Sequence, residues 1–365
     1  MSGSTFGKIF TVTTWGESHG AGLGAVIDGC PAGLVLTAED INRALQRRRP
    51  GQSALTTPRR EADRAVILSG LFDDRTTGTP ISVAVYNENQ RSKDYGHLKN
   101  CYRPAHADFT FDKKYGHRDY RGGGRSSGRE TIGRVIGGAV AAKLLSCFGI
   151  QTDAYTAATG HITIPPDEVD LSLRDTNALY MPHPLAAEAE AAVLAAAKAG
   201  DSMGGIVRCR TLNIPTGLGE PVFRKLDALL GQALFSIGGV KAVEIGIGTG
   251  ASTCRGSDCN DAFVLRDNRI RTATNHAGGV LGGIADGEPL EVSVHFKPTP
   301  SISQPQRTVR TDGTPMELSV TGRHDPVIFP RAVVVVESMV NLVLADLLLE
   351  QATARLDNLK KIFPV

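Results

Sequence analysis

With 365 residues, 41% hydrophobic and 21% charged, the chain suits a soluble globular protein with a sizeable core, in one large domain or two ordinary ones. A net charge of +2 excludes a global pull toward nucleic acid, so any basic site is local. No 18-residue apolar run and no signal-peptide core in "MSGSTFGKIF" exclude a membrane span and a secretory leader, and six scattered cysteines read as free thiols of a cytoplasmic protein.

In chain order, "WGESHG" (Trp15–Gly20) first sets Ser18 beside His19. Adjacent side chains of an extended chain point apart, so a serine nucleophile here needs a base from elsewhere. A polar turn, or His19 as proton donor or anion ligand, are the two readings. A strand over Gly22–Cys30 precedes a helix over Thr37–Arg49, marked by its capping threonine, acidic first turn and terminal arginines before Pro50. Arg47, Arg48 and Arg49, with Arg59 and Arg60, form either a solvated helix end or a grip on a substrate with several negative charges. Strands over Ala65–Phe72 and Ile81–Asn87 follow.

The segment from Asn87 to Ser127 is long, polar and without periodicity, which points to an ordered active-site stretch. Inside it, "YRPAHADF" carries Arg103 and His106. At its end, "YRGGGRSSGRE" (Tyr120–Glu130) places three consecutive glycines, two serines and three arginines just before what reads as a helix. Such a stretch resembles an anion cradle of backbone donors, hydroxyls and a helix N-terminus. It is not a P-loop, lacking GK[ST], nor a dinucleotide fingerprint, since Ser127 holds the last glycine position. A serine-capped glycine turn is the bland alternative.

The following helix, Gly128–Gly149, places Ile132, Val135, Ile136, Ala139, Val140 and Leu144 at helical spacing. An alanine-rich helix runs from Leu185 to Gly200, and strands are expected at Gly205–Pro215, Ala242–Gly248 and Leu290–Pro298. "GRHDP" (Gly322–Pro326) adds Arg323, His324 and Asp325. A last helix, Arg331–Leu356, is so apolar that it must be buried. The pattern fits α+β or layered α/β architecture. No HxH, HExxH or CxxC scaffold supports a metal site. Together these features imply an enzyme for a small, strongly anionic substrate with histidine acid–base chemistry, without specifying a reaction.

Seven ordered motifs, "GESHG", "RRRPGQ", "RPAHAD", "DYRGGGRSSGRET", "NHAGGVLGG", "KPTPS" and "GRHDP", resemble the chorismate synthase family over nearly the whole chain. The resemblance implies one domain over 1–365, of the bacterial, monofunctional type. The implied reaction is 1,4-anti-elimination of phosphate from 5-enolpyruvylshikimate-3-phosphate, dependent on reduced FMN, with NADPH as an indirect reductant. It implies that Arg48, Arg103 and Arg129 hold the substrate's anions with Ser18 and Ser127 nearby. His19 and His106 match the family's proton-supplying histidines, and Asp325 the acidic residue that accepts the C6 proton by way of flavin N5. The implied FMN contacts are Arg48, Arg125, Ser126, Ser127, Gly238, Gly239, Gly282, Lys297, Pro298, Thr299, Pro300, Ser301 and Arg323. The family's fold is a β-α-α-β sandwich with pseudo-two-fold halves, assembled as a homotetramer. Two departures stand out: Ala54 replaces an arginine linked in the family to NADPH, and Gly238 replaces a common asparagine or proline. A Ser18/His19 hydrolase and a polyanion-binding protein using Arg47–Arg49 and Arg121–Arg129 are the rival readings.

Overall fold

Two antiparallel five-stranded sheets face each other across a pair of long helices, in a computed structural model that describes residues 3–53, 55–56, 61–88, 96, 98–320 and 325–363. The first sheet contains β1 (Thr5–Phe6), β2 (Thr11–Gly16), β3 (Gly22–Asp28), β4 (Val66–Ile67) and β5 (Ile81–Tyr86), ordered β1-β2-β3-β5-β4. The second contains β6 (Gln151–Thr159), β7 (Ile162–Thr163), β8 (Gly205–Leu212), β9 (Val240–Ile245) and β10 (Leu290–Phe296), ordered β9-β10-β8-β6-β7. Alternation fixes which face turns inward: on β10, Leu290, Val292, Val294 and Phe296 are buried while Glu291 is exposed.

Among the described residues, the helices of eight residues or more are α1 (Ala38–Arg48), α2 (Asp108–Tyr115), α3 (Thr131–Ser146), α4 (Ala186–Lys198), α5 (Leu226–Phe235) and α6 (Phe329–Gln351). α3 packs on β2 and β3, α6 packs on β6 and β8, and the two helices pack on each other. The layers therefore run sheet, helix, helix, sheet, as the expected β-α-α-β sandwich, each half supplying a sheet and a long core helix. Small residues set the layer spacing. A Cβ on Gly138 of α3 would lie 2.2 Å from Ser338 Cβ on α6, and one on Gly133 would lie 2.8 Å from Thr14 Cγ2 on β2.

α1 begins at the expected capping threonine, and Thr37 and Asp40 bond each other's backbone N–H groups in a capping box. The expected helix from Gly128 starts instead at Thr131. Gly124–Ser126 and Gly128–Glu130 form short 3-10 turns, with Ser127 extended between them (φ −72°, ψ 141°). α6 starts at Phe329, with Pro330 in its first turn where a missing N–H costs nothing. By length and composition α6 could cross a membrane, although Glu337 and Asp346 interrupt its apolar run. Yet 83% of its most apolar window is buried inside the fold, as in a core helix. α2 and α5 were not expected. α2 buries only Asp108 and so presents no apolar stripe.

Candidate active site

The glycine turn is the centre of the site. Gly122, Gly123 and Gly124 have φ of +64°, +83° and +53°, a left-handed path that residues with a Cβ avoid. Close approach adds a second reason for glycine. A Cβ on Gly122 would stand 2.3 Å from His19 Cε1, and one on Gly123 would stand 3.3 Å from His106 Cε1. The turn thus lies against both imidazoles. His19 and Ser18, both buried, come from the bend between β2 and β3. Ser18 Oγ lies 3.1 Å from His19 Nδ1 and 3.3 Å from the Gly122 carbonyl. Ser126 Oγ donates to the Gly123 carbonyl at 2.7 Å, bracing the turn from inside.

His106 stands just before α2, in a buried ionic knot. Asp108 accepts from Arg103 Nε and Nη2, at 2.8 Å each, and from the Arg103 backbone N–H at 3.1 Å. Its Oδ1 is also 3.1 Å from His106 Nδ1 and 3.1 Å from Arg118 Nη1. Burial opposes the charge of Asp108, but bonds from Arg103 and His106 hold its carboxyl well below the usual carboxylate range. Arg118 Nη2 in turn donates to the carbonyls of Leu98, Lys99 and Cys101.

A second cluster follows along the same segment. Arg48, at the end of α1, donates from Nε to Thr131 Oγ1, from Nη2 to the Gly128 carbonyl and from Nη1 to Asp63 Oδ2, each at 3.0 Å. Arg129 donates from Nη1 to Asp63 Oδ1 at 2.8 Å and from Nε to Asn87 Oδ1 at 2.7 Å. Asp63 is thus shared by two guanidiniums. Burial first, then the neighbouring Arg331, push Arg48 down to about 9, which leaves it charged at neutral pH. Arg331 donates to the Arg48 carbonyl at 3.0 Å and to Asp325 Oδ2 at 2.6 Å, tying the expected proton acceptor to the arginines. Arg129 Nη2 is buried without a hydrogen bond, its carboxylate partner Glu61 lying 3.6 Å away. A buried donor in that position suits an incoming anion.

The remaining expected residues divide. Gly239 and Lys297 meet where β9 begins and β10 ends, the Lys297 N–H donating to the Gly239 carbonyl at 2.9 Å. Lys297 Nζ donates to the Ala105 carbonyl at 2.6 Å, which joins this edge to the His106 loop. Burial and then Lys241 lower the Lys297 ammonium below its ordinary range. Thr299 Oγ1 is buried without a partner, and a Cβ on Gly238 would meet nothing within 4 Å. A lone hydroxyl and open backbone beside a lysine fit a phosphate-bearing flavin. Pro298, Pro300 and Ser301 continue this edge, the Pro300 carbonyl accepting from Gln306. Arg125, by contrast, turns its guanidinium onto the carbonyls of Gly16 and Thr14 and Thr14 Oγ1, the last at 2.7 Å, and so anchors the turn to β2. Ser127 accepts from the Arg129 N–H as a cap.

Gly282 lies elsewhere. Its neighbour Gly283 accepts from the Leu226 N–H at the start of α5, whereas Gly238 follows that helix's end, roughly 15 Å along the axis. Arg323, His324, Ala54, Arg59 and Arg60 fall outside the described residues. Arg331 also lines a cavity of about 260 Å³ with Gln52, Ser53, Thr56, Asn177 and Tyr180. That cavity touches neither histidine nor Lys297, so side-chain geometry rather than this hollow locates the chemistry. Asp63, Asn87, Asp108, Arg118 and Arg331 carry the site without having been singled out in the sequence. Of these, Asp108 alone had a signal, as the last residue of "RPAHAD".

Comparison with known proteins adds an independent line. Residues 10–349 match the family described as chorismate synthase. The chorismate synthase of Lachnospira eligens is 55% identical over 364 residues, covering 100% of both chains. That of Methanocella arvoryzae is 52% identical over 354 residues, covering 95% of this chain and 94% of its own. A crystal structure of chorismate synthase, 31% identical, superposes with a TM-score of 0.77 over 98% of this chain and 97% of that chain.

Proposed function

Because the chain belongs to the chorismate synthase family, we propose that its chemistry runs along the Gly122–Gly124 turn, between the two histidines and the buried arginines. The reaction is that of a carbon–oxygen lyase: 1,4-anti-elimination of phosphate from 5-enolpyruvylshikimate-3-phosphate, giving chorismate for aromatic amino acid synthesis. The observation that carries the placement is the single turn touching both imidazoles and leading directly into Arg129.

The substrate's phosphate and two carboxylates call for several fixed cations. Arg129, with its unbonded Nη2, and Arg48 beside it supply them, and Arg103 supplies a third beside His106. His106 holds a proton at Nε2, on the edge facing Gly123, and His19 moves one beside Gly122. Asp325, fixed by Arg331, takes the proton lost from C6. Lys297, Thr299 and the backbone at Gly238 and Gly239 hold the flavin, which is FMN in its reduced form, with NADPH as an indirect reductant. Reduced flavin, when bound, lends electron density to the breaking C–O bond and recovers it.

The whole chain, 1–365, acts as one cytoplasmic catalytic domain within a homotetramer. The test is phosphate release under anaerobic conditions with dithionite-reduced FMN and with no flavin. Release only with reduced FMN, matched by chorismate, is expected. Release without flavin favours hydrolysis by Ser18 and His19, whose 3.1 Å contact is within hydrogen-bond reach.

A further inference from the structure

We propose that Asp108 is a positioning residue for His106, tethering the imidazole at Nδ1 so that its Nε2 edge faces the glycine turn. This rests on the proton role given to His106 above. Three atoms form a close triangle. Asp108 Oδ1 to Arg103 Nη2 is 2.8 Å, Arg103 Nη2 to His106 Nδ1 is 3.0 Å, and His106 Nδ1 to Asp108 Oδ1 is 3.1 Å. A protonated Nδ1 donates to the carboxylate, and an unprotonated Nδ1 accepts from the guanidinium. The ring therefore keeps a partner at Nδ1 in either charge state. A proton can come or go at Nε2 without the ring rotating.

The surroundings fix the triangle. Asp108 is buried and begins α2, where the helix dipole favours a carboxylate. Its Oδ2 takes the Arg103 Nε and backbone N–H bonds, and Arg118 closes on Oδ1 from the other side, so the carboxylate has no room to turn. On the opposite edge of the ring, a Cβ at Gly123 would stand 3.3 Å from Cε1 and 3.7 Å from Nε2. The imidazole is thus gripped at one nitrogen and presented at the other. In Ser-His-Asp enzymes an aspartate acts on a histidine in the same way, through tautomer and orientation and without touching substrate.

Mere neutralisation of Arg103 and Arg118 is the competing role, and kinetics separate the two. The variants are H106A, D108N, D108E and the doubles D108N/H106A and D108E/H106A, assayed for phosphate release with reduced FMN, for FMN affinity and for melting temperature. D108N is expected to lower kcat on the order of a hundredfold, with a smaller change in KM, and to add nothing further in the H106A background. D108E restores the charge, and with it stability, but carries its oxygens one methylene off the Nδ1 position, so kcat stays low. If D108N does not fold, D108E and its double with H106A make the same comparison. A stable D108E with near wild-type kcat, or losses that multiply in the doubles, overturns the role of Asp108. Normal turnover by H106A removes the histidine itself, and this inference with it; slow H106A beside fast D108E removes only Asp108.

Discussion

Replacing Asp63 with asparagine perturbs the arginine cluster at its shared counter-ion. The side chain is 1% exposed and receives Arg48 Nη1 at 3.0 Å and Arg129 Nη1 at 2.8 Å. Asparagine keeps the shape and removes the charge, leaving buried guanidiniums under-compensated, at a cost of about 3–5 kcal/mol. Average unfolding entropies give about 0.8 kcal/mol per kelvin for a chain of this length. The apparent melting temperature should therefore fall by about 4–6 °C at neutral pH. Burial opposes the Asp63 charge, but Arg48 and then Arg129 outweigh it and hold the carboxyl below its ordinary 3.8. A folded-state value below the unfolded one stabilises fully above the unfolded value, and the gain is lost as pH falls through the folded one. The gap between wild type and variant should accordingly narrow below about pH 4. Inorganic phosphate supplies a second test, because it can replace the missing counter-ion. At a hundred times its Kd a ligand stabilises by about 2.7 kcal/mol, so phosphate should raise the variant's melting temperature more than the wild type's. Thermal scans at neutral and acid pH, with and without phosphate, measure all of this. A variant melting within a degree of wild type at neutral pH, or an equal phosphate shift in both, would refute the account.

Gly122→Ala forces a left-handed Cβ to within 2.3 Å of the His19 ring. Backbone strain of about 1–2 kcal/mol should lower the melting temperature only slightly, while displacement of His19 lowers kcat at least about tenfold. Unchanged anaerobic turnover would show that the position of His19 does not matter. Asp346 serves as a distant control, some 22 Å along α6 from Arg331. Its carboxylate accepts from the N–H groups of Lys8, Ile9 and Phe10 and is 3.4 Å from Arg224 Nη2. Asp346→Asn should destabilise by roughly 2–4 kcal/mol, read by denaturant titration, with kcat and KM unaltered. A change in KM would mean that α6 couples its two ends.

α1 was legible because its signals are local: a threonine cap, an acidic first turn and arginines at the end. The long apolar α6 was legible as a buried helix for the same reason. α2 was not, because a helix that buries only one aspartate leaves no periodic trace. Both histidines were visible in their motifs, yet the turn that reaches His106 also meets Ser18 and His19 from about a hundred positions along the chain, which spacing cannot encode. The same holds for Asp63 with Arg129 and for Arg331 with Arg48. Arg125 shows a related limit. An arginine in a glycine-rich loop looks like an anion ligand, and nothing in its neighbours announces that its fork also bonds three oxygens of Thr14 and Gly16.

α6 is translated after every strand of both sheets, although β6, β8 and α3 all pack against it. A ribosome that has reached only residue 328 has made both walls of the sandwich and half of its filling. The inward rows of β6 and β8, Ala154, Thr156, Val207 and Cys209 among them, then face solvent with nothing to cover them. Such an intermediate is prone to aggregate and is a natural client for chaperones. Closure of the fold therefore waits on the emergence of one helix, and truncation ahead of Phe329 should leave an insoluble chain rather than a smaller enzyme.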